Sequence, residues 1–237
     1  MNPTPDETPP PAATLGVESR LPCTVAAEVT ALMERISADY AEGESARLAA
    51  EARESFGLAT GRVHEGDRSF DERMALFMEW FLLDRPLGSG GETPAHAWAV
   101  DHAAALDPRS RALLLGLCTS HRSLFCRVGT DDARRLLADD LLYGIRWAVT
   151  APDGLPGVEV GDVYEGRLLG HAGEVHFTAA FCYHPREAAQ RIRRHMERVR
   201  DRGKAPGPSL LDELMSMRLA YDRAEGAPVN AIYRLGR

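Results

Sequence analysis

The sequence predicts an α+β protein, with an N-terminal helical half, a small antiparallel β-sheet or barrel, and C-terminal helices. Three observations carry that reading. Apolar residues recur at helical spacing from Thr24 to about His121. The texture then changes to short apolar runs separated by Gly and Pro turn signals, as far as Pro185. Beyond Pro185 helical spacing returns, now with a high density of arginine.

The chain begins with a Pro- and Thr-rich stretch, residues 1–22, that holds Pro3, Pro5, Pro9, Pro10, Pro11 and Pro22. Its composition predicts a disordered or polyproline-like tail. The helical region spans 23–121. Thr24 is a candidate cap, and Val25, Val29, Leu32, Met33, Ile36 and Tyr40 follow on one face. Residues 45–56 read as a second helix anchored by Leu48 and Phe56, and 57–68 read as a loop.

The third helix has the strongest signal. Ser69 and Glu72 have capping-box spacing, and Asp71 and Glu72 suit the positive end of the helix dipole. Phe70, Met74, Phe77, Met78 and Phe81 form an amphipathic stripe. Trp80, Leu82 and Leu83 widen it, so burial on more than one side is expected. Pro86 and the Gly-Ser-Gly-Gly run at 88–91 end the element. Thr93-Pro94 and Asp107-Pro108 repeat a cap-then-proline start. They open two more helices, over 96–106 and from Pro108 to about His121.

The β module is placed at 122–185, with five strands. Its strands are read at 123–128, 135–142, 146–150, 163–169 and 175–183. The last two flank Gly170-His171-Ala172-Gly173 as a hairpin with a four-residue turn. Val175, Phe177, Ala179 and Phe181 give the final strand an apolar face. Five short strands in so few residues predict a curled sheet or barrel. A helix from Arg186 to about Arg202 follows, then a linker at 203–208. Ser209 caps a last helix with Leu210, Leu214, Met217 and Tyr221 on one face. Ile232 and Tyr233 are expected to bring the tail back, so that 186–237 packs on the β module.

Of 237 residues 44% are hydrophobic, enough for a sizeable core, and no apolar run is long enough to span a bilayer. No secretory pattern opens the sequence, so a cytoplasmic location without a membrane partner is expected. Cys23, Cys118, Cys126 and Cys182 are scattered with no CxxC pair, and are expected to be free thiols.

Complete catalytic patterns are missing from the sequence. Gly88-Ser89-Gly90-Gly91 lacks the spacing of a phosphate loop, and neither HExxH nor GxSxG occurs. His171, His176 and His184 cluster around the hairpin, but strand rise keeps them apart, so neither a metal nor another cofactor is expected. Cys126 or Ser123 beside His121 is an imaginable nucleophile pair, with His121 better read as a helix cap. Asp131-Asp132 and Asp139-Asp140 read as solvated turn residues. His121, Asp139, Asp140 and His176 are the residues an unrecognised enzyme would have to use; no catalytic residue is assigned.

Charge gives the one positive signal. The chain carries a net −7, which argues against non-specific nucleic-acid binding. Residues 186–204 run the other way, with eight basic and three acidic side chains, and Arg191, Arg194, Arg198 and Arg202 share a helical face. These four, with Trp80 and Phe81 of the third helix, are the predicted partner-binding residues. A non-catalytic adaptor or regulatory protein with a protein partner is the leading expectation. A nucleic-acid-associated factor using the basic helix is the alternative, and an enzyme of unrecognised type a third. Against nucleic acid, the strands offer no stacking platform, with Phe177 and Phe181 on the apolar face.

The order of parts also resembles a known family. Phe77–Leu87 with its Trp-Phe-Leu-Leu-Asp signature, Thr93-Pro94, Ser123-Leu124-Phe125, and Gly161-Asp162-Val163 before a hairpin are similar to a bacterial family of unsettled function. In that family a helical region precedes a small β module, sometimes beside a SEC-C zinc motif. The resemblance covers about residues 70–185 and implies that architecture. The CxC…CC zinc cluster is absent here, so the metal does not carry over.

Overall fold

The structure, a computed structural model, describes residues 25–151, 155, 157–203, 207–224 and 226–235. The predicted tail, the Thr24 cap, and parts of the 152–157 turns and the 203–208 linker lie outside the described residues. The fold is α+β. Five helices come first: α1 (Val25–Ala38), α2 (Gly43–Thr60), α3 (Phe70–Leu83), α4 (Pro94–His102) with a 3₁₀ turn at Ala103–Ala105, and α5 (Pro108–Cys118). The sheet follows, with β1 (His121–Thr130), β2 (Leu136–Asp140), β3 (Arg146–Val149), β4 (Val163–His171), β5 (Glu174–Phe177) and β6 (Cys182–Tyr183). Helices α6 (Arg186–Asp201), α7 (Pro208–Arg223) and α8 (Val229–Ile232) close the order. Among the described residues no helix is long and apolar enough to cross a membrane.

Helix α3 is central: of its predicted stripe Phe77 and Phe81 are buried and Phe70, Met74 and Met78 half-buried, while Leu82 and Leu76, the latter outside the stripe, are buried as well. Its start differs from expectation. Ser69 has φ −98° and ψ 17°, not the extended geometry of a cap, and its buried hydroxyl makes no hydrogen bond among the described residues. The capping box is therefore not formed. Asp107 does cap α5, accepting from the N–H groups of Arg109 and Ser110 at 3.0 Å. Helix α2 runs on to Thr60, through residues expected to be loop. The reason is Arg73, buried on α3, which donates to the carbonyls of Thr60 (2.6 Å) and Gly61 (3.1 Å) at the negative end of α2.

All strand pairs are antiparallel, in the order β3-β2-β1-β4-β5, with β6 also on β4. A bulge in β1 between Arg127 and Gly129 increases the curl. The Thr150 N–H donates to the Val175 carbonyl at 2.8 Å, bringing the two edges of the sheet together. The β4–β5 connection is a two-residue turn, tighter than the four residues expected. Ala172 and Gly173 have φ +52° and +80°, as a type I′ turn requires, and His171 pairs with Glu174. The last predicted strand is interrupted at 178–181, and Cys182–Tyr183 resumes the same antiparallel course along β4, pairing Glu165 and Tyr164.

Curling gives the sheet two different faces. The inner face holds Phe125, Leu136, Ala138, Val149, Tyr164, Leu168 and Phe177 in one aromatic core. On the outer face Leu169 and Cys182 join the core of the helical half. Leu124, Cys126 and Val163 join Ile192 and Met196 of α6, Leu211 and Leu214 of α7, and Tyr233. At Gly116 on α5 a Cβ would lie 2.6 Å from the Gly170 carbonyl oxygen, so that helix touches β4 through a backbone only glycine allows.

Candidate functional site

Helix α6 is split cleanly by its sequence. Ala188, Ala189, Ile192 and Met196 recur at helical spacing and are buried. That fixes the helix on the sheet and turns the opposite side outward. Arg191, Arg194, Arg198 and Arg202 are all exposed, and none makes an ion pair among the described residues. Arg186 is spent on Glu159 and Asp162, at 2.9 and 3.0 Å, and Arg200 donates to the Leu141 carbonyl. A groove of about 600 Å³ runs beside the arginines. Arg191, Arg194 and Arg198 line it with Glu187, Gln190 and Glu197, and Val229 and Leu235 of the returning tail add apolar surface. The tail residues were not legible as part of a site, because they approach α6 only in three dimensions.

The local field is positive. Burial first, then the charges of Arg198 and Arg202, push the His195 imidazole below its ordinary range, against the pull of Glu213. Spacings of three, four and four set like charges beside one another along the helix. Each such contact costs about 0.2–0.5 kcal/mol.

The other predicted contact residues lie elsewhere. Phe81 is 1% exposed and belongs to the core, so it offers no surface. Trp80 is half-buried, 5.3 Å from Phe56 and capped by the Arg85 guanidinium at 5.6 Å. Neither residue meets the arginine face.

The structure also rearranges the His and Asp candidates. Helix α5 ends at Cys118, so His121 starts β1 and is not a helix cap. Asp140 is 1% exposed and lies with Asp139 in β2, so neither is a solvated turn residue; Asp139 is part-exposed and paired with Arg146 at 2.6 Å, whereas Asp131 and Asp132 do lie at the β1–β2 turn. Its position opposite Phe125 points Asp140 inward. There one carboxylate oxygen accepts from the Ser123 hydroxyl (2.6 Å) and the N–H groups of Leu142 and Tyr143, and the other meets His121 Nε2 at 2.6 Å. Burial would raise this carboxyl, but those hydrogen bonds outweigh it and hold the group below the usual range. Ser123 is thus committed to Asp140, and Cys126, one residue out of phase with Phe125, faces the outer side with its thiol pushed up by burial. Neither hydrogen-bonds His121 among the described residues. The arrangement closes the β2–β3 turn, with Tyr143 and Trp147 packed 5.2 and 6.1 Å from the His121 ring. His176 sits on β5, next to Glu174, apart from this group. His184 is buried against the Tyr233 hydroxyl at 3.1 Å. Among the described residues no three His, Cys, Asp or Glu side chains are grouped to hold a metal.

No family model, curated protein or solved structure matches the chain.

Proposed function

We propose that the protein is a cytoplasmic, non-catalytic adaptor that holds an acidic segment of a partner protein along the α6 arginine face. The observation behind this reading is the row Arg191, Arg194, Arg198 and Arg202, exposed, mutually repelling and without ion pairs among the described residues. Such a row destabilises an isolated helix and is offset by bound negative charge. The buried face of α6 fixes the row, so little ordering is left for binding. Val229, half-buried in the adjoining groove above the buried Leu235, favours a protein segment with apolar residues among its acids over a bare phosphate chain.

A second reading, nucleic acid, rests on one observation. Tyr143 is 52% exposed at the β2–β3 turn, where Gly144 lies against Arg200, and could stack a base next to the basic helix. Affinity capture of the tagged protein from the cells that make it, with and without nuclease, separates the two. The adaptor reading expects a stoichiometric protein partner that survives nuclease and elutes with salt. Partners lost on nuclease treatment would replace it with the nucleic-acid reading.

A further inference from the structure

A separate cavity lies at the junction of α2 and α3. It has a volume of about 270 Å³ and is lined by Phe56, Met74 and Phe77 on its apolar side and by Arg53, Arg62, Arg73, His64 and Glu54 on its polar side. Arg62 is answered by Glu54, whereas Arg53 has no ion pair among the described residues. Arg73 is 2% exposed, and its hydrogen bonds all leave from Nη2, to Thr60 and Gly61. Its Nε and Nη1 meet no partner among the described residues. Glu165 and Asp222 act on it only through space, and Arg223 opposes them.

Leaving two donors of a buried guanidinium unpaired is costly; both are closed to solvent and the guanidinium lies over the Phe56 ring, 5.6 Å from its centroid, so a group entering the cavity answers them by drawing the Arg73 side chain towards it. The cavity wall is held in place. Arg223 of α7 grips Asp67 at 3.0 and 2.8 Å and donates to the Arg62 carbonyl at 2.7 Å. Gly61, at φ +89°, lies against Leu219 so closely that a Cβ would come within 2.9 Å of it. An apolar floor, a fixed wall and a lining of three arginines against one glutamate are the features of a small-molecule pocket.

We infer that this cavity binds a small organic monocarboxylate, its carboxylate taken by Arg73 and Arg53 and its apolar body lying on Phe56, Met74 and Phe77. The volume suits a body the size of a short acyl chain or a single ring. This site is independent of the α6 face.

The test uses the full chain and three probes, octanoate, phenylacetate and 4-methylpentanoate, each paired with its neutral alcohol. Binding is followed through the Met74 methyl resonance and by calorimetry. At least one acid is expected to saturate at one per chain, to shift Met74, and to bind about tenfold or more tighter than its alcohol, since a charge-assisted hydrogen bond is worth that much. Met74→Trp fills the cavity and is expected to abolish binding. Arg53→Glu at the exposed rim is expected to weaken it several-fold without unfolding the protein. Equal affinity for acid and alcohol overturns the anion assignment. No Met74 shift with any acid up to millimolar concentration, or full binding in a folded Met74→Trp variant, overturns the site.

Discussion

Arginine has two opposite uses in this molecule. On the outer face of the sheet Arg122 and Arg167 are direct cross-strand neighbours, a pairing that like charges disfavour. Each is therefore surrounded by carboxylates. Arg167, 2% exposed, bonds Glu79 and Asp84 of the α3 end and the Ser120 hydroxyl. Arg122 bonds Glu165 of β4 at 2.7 Å and Asp212 of α7 at 3.3 Å. Along α6 and at its C-terminal cap the four arginines face solvent with no such answer among the described residues. The first set ties the helical half, the sheet and α7 together. The second contributes nothing visible to the fold. A charge the fold does not use is the better guide to function.

That contrast is most sharply broken at Arg167. Replacing it with Met leaves Glu79 buried without its partner, and about 3–5 kcal/mol of stability should be lost in chemical denaturation. The double variant Arg167→Met with Glu79→Leu should recover much of that loss, because burial already pushes the Glu79 carboxyl up against the pull of Arg167. A double variant as unstable as the single one would show that the network does more than neutralise charge.

A smaller effect tests packing without charge. Gly116→Ala drives a methyl into the Gly170 carbonyl and should cost about 1–3 kcal/mol, read as a lowered Tm. An unchanged Tm would mean that α5 and β4 separate at little cost.

The pH dependence should come from a buried base. Burial, then Arg218, depresses His184 from 6.5 to about 3. The unfolded chain therefore binds a proton between those values that the folded chain refuses. Stability from this group is complete above about pH 6.5 and is lost as pH falls towards 3. His184→Gln should flatten the stability curve across that window. A slope unchanged by the substitution would assign the acid sensitivity to other groups.

Much of the architecture was legible because it follows periodicity. The α3 stripe, the paired proline starts of α4 and α5, and the split faces of α6 are written in spacing that survives any tertiary context. Features decided by tertiary contact were not. The interruption at 178–181 that divides the predicted 175–183 strand into β5 and β6 has no local signal, and α2 reaches Thr60 because Arg73 caps it from another helix. The burial of Asp140 depends on which sheet face curls inward. Its neighbour Asp139 has the same residue type and turn signals yet points outward to Arg146. For the candidate site, the arginine row was readable from helical spacing, whereas Val229 and Leu235 join it only through the return of the tail. Phe81 illustrates the converse: an apolar stripe looks the same in sequence whether it faces a partner or a core.

The most direct test belongs to a variant that should not destabilise the fold. Arg194→Glu with Arg198→Glu turns the 191/194 and 198/202 contacts from repulsive to attractive and should raise unfolding free energy by about 1 kcal/mol. The decisive measurement is a fluorescence-anisotropy titration of wild type and this variant with a labelled peptide of alternating acidic and leucine residues, at low and high salt. The account predicts saturable binding by wild type that weakens with salt and is lost in the folded variant. Equal binding by the two proteins, or none by either, would contradict the claim that the α6 face takes an acidic protein segment.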